Sequence, residues 1–315
     1  LTSEETNRAV EQHLEGYEDC RKVLALMQGE GGPAADGESE TKEIDYLKKV
    51  RAGTWKRVIA GILAAAFVIG AGVWIRVYRY GSDADPSAVN IVSVDQGEDR
   101  IAISGNFKDK SLGVTHTDML LKGEGILELG YRSAPKKGLD NEFSFVAQGE
   151  GYGDVQEIRM GDRIVWYHGA LIDEQTSNAY NARHAYVGDM PANGRLAAAL
   201  GIQEEFGSYE NELSTGQEPY GWTFYFQRDF SSKELADGRR AHLHRDAAVL
   251  LACVDNLDWV EFRFTSSGKP LSIRLTAEEA SLIRNADIKK EAADPARLQL
   301  LMDEWPNPVY YTVTE

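Results

Sequence analysis

One uninterrupted run of apolar residues divides this chain into a short N-terminal part and a long C-terminal part. Residues 58–75, VIAGILAAAFVIGAGVWI, are 18 residues without a charged side chain. As a helix they would be about 27 Å long, close to the ~30 Å hydrocarbon thickness of a bilayer. A buried helix of a globular domain is the alternative, but the run has no polar face and is charged on both flanks. The pattern predicts one transmembrane helix.

The cations around this run predict its orientation. Five precede it and two follow it: Lys48, Lys49, Arg51, Lys56 and Arg57, then Arg76 and Arg79. Lysine and arginine near a span favour the cytoplasmic side. We therefore expect a single-pass protein of the plasma membrane, with a cytoplasmic N-terminus and extracytoplasmic C-terminal domains.

Residues 87–170 alternate between polar and apolar positions in the manner of short strands. Turn signals such as Gly97–Asp99 and Gly161–Asp162 fall between the runs. About seven strands in some 80 residues is typical of a small immunoglobulin-like sandwich. We predict a β-sandwich-like region here. The apolar positions that define the strands are Val89, Ile91, Val92, Val94, Ile101, Ile103, Ile126, Leu127, Leu129, Tyr131, Phe143, Phe145, Ile158, Met160 and 164–167.

In residues 176–292 the spacing of apolar residues changes from strand alternation to a mixture of helical and strand patterns. This mixture predicts an α+β domain. Helical patterns at 191–200 and 239–257 alternate with strand patterns at 209–213, 221–227, 259–265 and 271–275. Thr276, followed by Glu278 and Glu279, predicts a capped helix after the last strand. Residues 293–315 are left as a C-terminal tail. The predicted fold class is therefore multi-domain: a small helical cytoplasmic segment, one transmembrane helix, an immunoglobulin-like β region and an α+β domain.

The part before the apolar run is short and sparsely apolar. Residues 1–27 begin with an N-cap pattern at Ser3 and predict a small helical hairpin that turns near Gly16. Residues 28–57 start with a stretch rich in Gly, Ala, Pro, Glu and Ser, which predicts a flexible linker over 28–42. A basic juxtamembrane stretch then leads to the apolar run.

Two short segments within residues 1–27 resemble the zinc-finger anti-sigma factors of bacteria. Their sequences are SEETNRAVEQHLEG and EDCRK. His13, Tyr17 and Cys20 form His-x3-Tyr-x2-Cys, where that family has His-x3-Cys-x2-Cys. The resemblance implies that residues 1–27 bind a cytoplasmic sigma factor and hold it inactive until an extracytoplasmic signal arrives. It also implies His13 and Cys20 as metal ligands.

The metal site is degenerate. Tyr17 stands in the place of a cysteine, and the family's fourth ligand comes from further upstream than Leu1. A structural zinc site needs four ligands, and a phenol with a pKa near 10 binds zinc weakly at neutral pH. We expect His13 and Cys20 to hold no zinc and the chain to carry no cofactor.

Three sequence segments in the C-terminal part of the chain resemble an uncharacterised bacterial domain that also occurs with membrane regulators of the BlaR type. They are YVGD (186–189), EPYGWTFYF (218–226) and AAVLLACVDNLDWVEFRF (247–264). This family has no established chemistry. The His-Glu-x-x-His signature of a BlaR-type peptidase is absent from the sequence.

Charge and the remaining polar motifs exclude several functions. Residues 82–315 hold 38 acidic and 23 basic side chains, a net charge of −15, which disfavours direct nucleic-acid binding. His242 and His244 fall on a predicted helix, where we expect solvated side chains about 200° apart. Cys253 lies among apolar residues that raise a thiol pKa and disfavour a nucleophile. Gly149–Gly153 fits a hairpin loop, and Asp255, Asp258 and Glu261 a solvated face. We expect no enzymatic activity.

Two hypotheses remain. The first is an anti-sigma-like membrane regulator, whose residues 1–27 sequester a sigma factor while the outer domains detect an unidentified extracytoplasmic ligand or protein. The second is an extracytoplasmic binding or scaffold module whose cytoplasmic segment has decayed.

Overall fold

The computed structural model describes residues 8, 12, 16–19, 21–23, 37–135 and 138–306, with the backbone alone at 37–54, 232, 236 and 237. The chain divides into two compact units, Leu1–Gly72 and Val73–Glu315. Within residues 1–27 the described positions are helical except Tyr17. His13 and Cys20 lie outside the described residues, so the helical hairpin and the metal site stay predictions.

The apolar run belongs to one long helix, α1 (Gly37–Ile75), which continues as a π-helical turn, Arg76–Tyr80. The part that is long and apolar enough to cross a membrane is Trp55–Tyr80, and none of its most apolar window is buried. It extends the predicted run at both ends. The helix starts at Gly37, inside the predicted flexible linker, because four of the six residues 38–43 are Glu or Lys, which favour helices.

Residues 82–171, the β region, form two sheets. A three-stranded antiparallel sheet has the order β2-β3-β6, and a six-stranded sheet has the order β1-β5-β7-β8-β9, with β4 paired to β5. The strands are β1 (Ser82–Asp83), β2 (Val89–Gln96), β3 (Arg100–Phe107), β4 (Leu112–Lys122), β5 (Ile126–Pro135), β6 (Glu142–Gln148), β7 (Glu157–Met160), β8 (Arg163–Tyr167) and β9 (Ala170–Leu171).

The predicted strand positions of the β region are confirmed, and the two sheets share one apolar core. Ile101 and Ile103 of β3 and Leu127 and Leu129 of β5 are buried in it. The immunoglobulin-like topology is not confirmed, since β5 and β7 pair in parallel. The sequence pattern did not predict β4, the longest strand of this region, because four consecutive polar residues (115–118) interrupt its alternation.

Residues 174–303, the α/β region, contain one sheet of order β10-β11-β12-β13. β11 and β12 are parallel and joined through α5, while the outer pairs are antiparallel. The elements are α2 (Glu174–Asn181), α3 (Met190–Ala199), α4 (Ile202–Phe206), β10 (Tyr209–Ser214), β11 (Gly221–Phe230), α5 (Arg240–Cys253), β12 (Trp259–Ser266), β13 (Lys269–Thr276), α6 (Ala277–Arg284) and α7 (Pro295–Asp303). The predicted helices and strands of this region are confirmed, including the capping box at Thr276, but the helix predicted over 239–257 ends at Cys253.

The predicted C-terminal tail, residues 293–315, contains a helix, α7 (Pro295–Asp303). α7 begins at the N-cap Asp294, whose side chain accepts a hydrogen bond from the amide of Arg297 at 2.9 Å. Leu298 and Leu301 are fully buried in the core of the α/β region. Gln299 also accepts a hydrogen bond from the amide of Asp173 at 2.9 Å. The α/β region therefore extends beyond residue 292.

A half-buried lysine closes the end of α5. The Lys289 ammonium lies 2.7 Å from the carbonyl oxygen of Leu251, 2.8 Å from that of Val254 and 2.6 Å from that of Leu257. Three carbonyls match the three donors of an ammonium group. Burial lowers the pKa of Lys289 to about 8, so the charged form still predominates at neutral pH. This lysine satisfies carbonyls that a helix end otherwise leaves open.

Replacing Lys289 with Met keeps the aliphatic stem and removes all three hydrogen bonds. We expect the free energy of unfolding to fall by roughly 3 kcal/mol, since buried carbonyls lose their donor. The matched control is Lys290→Met, because Lys290 is exposed and its ion pair with Asp287, at 3.7 Å, is long. This substitution should change the free energy of unfolding by no more than about 0.5 kcal/mol. Urea unfolding of the detergent-purified chain measures both. Equal losses would contradict the role of Lys289.

Candidate functional site

The end of the apolar helix is joined to the β region by a tight turn at Gly81. The amide of Gly81 donates a hydrogen bond to the carbonyl of Arg76 at 3.1 Å and so closes the π-helical turn. Gly81 has φ +69°, and a Cβ there would lie 2.4 Å from the carbonyl oxygen of Ser133. Only glycine fits this close approach to β5 without strain.

Four further contacts fix residues 80–84 to the β4–β5 hairpin. Ser82 and Asp83 pair with β5, and the amide of Ala84 donates to the carbonyl of Tyr131 at 2.8 Å. The hydroxyl of Thr115 donates to the carbonyl of Tyr80 at 3.1 Å. Arg132 Nε lies 3.0 Å from Asp83 Oδ1. The segment that follows the helix is therefore part of the sheet, and we call residues 76–84 the junction.

A cavity of about 560 Å³ lies beside the junction. Its lining combines three cationic or ionisable nitrogen groups with two phenols: Tyr78, Arg79, Tyr80, Thr115, His116, Arg132 and Leu139. His116 is exposed and lies 3.0 Å from Asp118, and Arg132 is paired with Asp83. Arg79 is exposed and has no ion-pair partner among the described residues. The arrangement offers guanidinium donors to an anion.

A second candidate surface is the polar face of the α/β sheet. The Tyr225 hydroxyl donates to Glu212 at 2.6 Å and lies 3.2 Å from Arg263, which also donates to Glu261 at 2.8 Å. The hydrogen bond to Glu212 raises the pKa of Tyr225, and the one to Glu261 raises the pKa of Arg263. Alternate residues of β11 and β12 face the helices instead and are buried. This face can present fixed charges and a phenol to a partner.

The two histidines of α5 take opposite environments. His242 is exposed, with Nδ1 2.6 Å from Glu205 Oε1, as predicted for a solvated side chain. His244 is fully buried with its ring 6.2 Å from that of Trp305, so its predicted solvation is wrong. Side chains about 200° apart cannot both face solvent on a helix with one buried face. Burial lowers the pKa of His244 to about 4.

Cys253 is the last residue of α5 and is buried. Burial raises the pKa of its thiol to about 12, as its apolar neighbours predicted, and this disfavours a nucleophilic role.

Two other sequence interpretations need correction. Residues 149–153 connect β6 to β7, which belong to different sheets, so they are a crossover and not a hairpin. Asp258 and Glu261 are not a solvated face. Asp258 accepts a hydrogen bond from the amide of Tyr220 at 2.6 Å, and Glu261 is buried against Arg263. Among the described residues no three His, Cys, Asp or Glu side chains form a group that could hold a metal ion.

Gly81→Ala tests the junction. The new Cβ meets a backbone carbonyl and the backbone must hold a left-handed conformation, which together cost about 2 kcal/mol. We expect the junction to open more often and trypsin to cleave faster after Arg76 and Arg79 in the detergent-purified chain. The control is Gly123→Ala, where a Cβ meets nothing within 4 Å. Unchanged cleavage in Gly81→Ala would show that the junction does not depend on this glycine.

Comparison with known proteins bears on the α/β region. Residues 179–276 match the family described as Domain of unknown function (DUF4825), which confirms the resemblance of this part to an uncharacterised domain. The match covers the chain from α3 to β13, including the polar face, and leaves out α6 and α7. No match to a zinc-finger or anti-sigma family was found, and no link to BlaR-type proteins. No curated protein and no solved structure matches the chain.

Proposed function

We propose that the chain is a single-pass membrane regulator, in which an extracytoplasmic part detects a ligand or protein and a cytoplasmic segment sequesters a sigma factor. The observation that carries this proposal is the junction. A membrane anchor that only holds a domain near the bilayer needs no more than a flexible linker. Here the end of the apolar helix is bonded to the β4–β5 hairpin through residues 80–84.

Such a junction suits the transmission of a structural change. Because residues 76–84 share hydrogen bonds with β4 and β5, a shift of these strands also shifts the end of the helix. A ligand that binds one arrangement of the sheet better than another biases that shift. The excess of cations before the apolar run supports a cytoplasmic N-terminus.

The sigma factor is proposed as partner of residues 1–27 on the resemblance of this segment and on its composition. Its apolar side chains are too few to stabilise an isolated segment, for which a metal, a disulfide or a partner is the usual support. With Tyr17 in place of a cysteine, a bound protein is the support that the sequence favours. Residues 28–36 lie between residues 1–27 and α1. They add chain length that lets residues 1–27 reach a partner.

The polar face of the α/β sheet supports a second candidate function. Its network of Glu212, Tyr225, Arg263 and Glu261 presents pre-arranged charges without a catalytic grouping. A binding or scaffold module outside the cytoplasm, tethered by α1, needs only this surface. In that case residues 1–27 contribute nothing to signalling.

Orientation is tested by thiol labelling in intact cells. A membrane-impermeant maleimide should label a Glu150→Cys variant, whose new thiol is exposed between β6 and β7, and leave Cys20 unlabelled until the membrane is permeabilised. Native Cys253 should react only after unfolding, since it is buried. Labelling of Cys20 in intact cells would reverse the orientation and exclude a cytoplasmic sigma factor as partner.

The sigma factor is tested by pull-down with the full-length chain and the sigma factor encoded nearest to it. Leu14→Ala and Leu24→Ala should each weaken the complex by about 2 kcal/mol, roughly thirtyfold, if these leucines are buried by the partner. Lys22→Ala is the control, because Lys22 is exposed and forms only a 3.8 Å pair with Asp19. No capture by the intact chain, or equal capture by all variants, would leave only the binding-module function.

A further inference from the structure

We propose that the cavity beside the junction binds the phosphate headgroup of an anionic membrane lipid. The inference rests on the proposed membrane anchoring, and it assigns a ligand class to a site that lies at the end of the span. The span ends at Tyr80, and three consecutive residues at that end, Tyr78, Arg79 and Tyr80, line the cavity. Headgroup phosphates of a bilayer lie at this depth.

The charge of the lining is opposite to that of its surroundings. Residues 82–315 carry a net charge of −15, yet the lining contains Arg79, Arg132 and His116 and no carboxylate. Asp83 and Asp118 pair with two of these groups from outside the lining. Arg79 has no such pair among the described residues. An acidic protein surface repels an anionic bilayer, and a local group of cations is what such a bilayer attracts.

The shape and chemistry also fit a phosphodiester. A volume of about 560 Å³ lies within the range of small-molecule sites. Guanidinium groups donate paired hydrogen bonds to phosphate oxygens, and the phenols of Tyr78 and Tyr80 suit the boundary between headgroups and acyl chains. Leu139 supplies an apolar side chain to the same lining. The lining thus offers cations for the phosphate and apolar surface for the start of the acyl chains.

Native mass spectrometry of the full-length chain tests this assignment. The detergent-purified protein is mixed with equal amounts of phosphatidylglycerol and phosphatidylcholine, and the retained molecules of each are counted. We expect retention of phosphatidylglycerol in preference to phosphatidylcholine. Arg79→Gln and Arg132→Gln should each reduce this retention about fivefold, the effect of one arginine near an anionic surface.

Two controls separate charge from folding. Arg100→Gln removes an exposed arginine of β3, 3.7 Å from Asp95 and outside the cavity, and should leave retention unchanged. Asp83→Asn breaks the same ion pair as Arg132→Gln but keeps the cation, so retention should be equal to or above that of the wild type. A loss of retention in Asp83→Asn as large as in Arg132→Gln would show that the ion pair acts only on the fold, and would overturn the site.

Free phosphate is the other source of the same chemistry. Inorganic phosphate or glycerol 3-phosphate at millimolar concentration should not displace the retained lipid, because neither carries acyl chains. Displacement by these soluble anions would overturn the lipid assignment and identify a free-phosphate site. Equal retention of the two lipids, or no effect of Arg79→Gln and Arg132→Gln, would reject the anion site altogether. None of these outcomes bears on membrane orientation, which the thiol labelling measures independently.

Discussion

The backbone conformation of Gly81 is the constraint on which the junction depends. Its positive φ turns the chain out of the helix, and its missing side chain lets the backbone pass the carbonyl of Ser133. Every other contact of the junction follows from this approach: the short pairing of β1 with β5, the hydrogen bond of Thr115 to Tyr80, and the pair of Arg132 with Asp83. With a flexible linker at this point the helix end and the sheet would be independent.

The β region and the α/β region have separate cores but are not independent. Ser177 of α2 accepts a hydrogen bond from the amide of Ile164 in β8 at 2.9 Å, and Thr176 contacts Met302 of α7. α2 therefore lies between a strand of one region and a helix of the other. The two regions are therefore in direct hydrogen-bonded contact through α2.

Periodicity in the sequence predicted the regular elements well where side chains alternate cleanly. Ile101 and Ile103, or Phe224 and Phe226, mark strands without ambiguity. β4 was not predicted, since Thr115 and His116 put polar side chains where an apolar one was expected. α7 is not among the predicted helices, although Asp294 and Pro295 form a helix-start signal. A helix-start signal predicts where a helix begins but not whether the helix packs. The burial of Leu298, which shows that α7 packs, is seen only in the structure.

The candidate site was beyond reach of the sequence for a different reason. In the sequence Arg79 stands out only as a charge that orients the apolar helix. Arg132 and His116 lie on two strands whose pairing brings them to the same cavity. Pairing register is a property of the folded sheet, and no local pattern around Arg132 indicates it. In the same way, the role of Gly81 depends on Ser133, a residue distant in sequence. The burial of His244 was within reach, because helix geometry already separates it from His242.

Hydrogen exchange of the full-length chain in lipid nanodiscs tests most directly whether the helix end and the sheet form one structural unit. The amides of Gly81 and Ala84 donate to carbonyls of Arg76 and Tyr131. We predict that both exchange as slowly as the paired amides of β4 and β5. Exchange at Gly81 and Ala84 at the rate of an unstructured peptide, while β4 and β5 remain protected, would contradict the account.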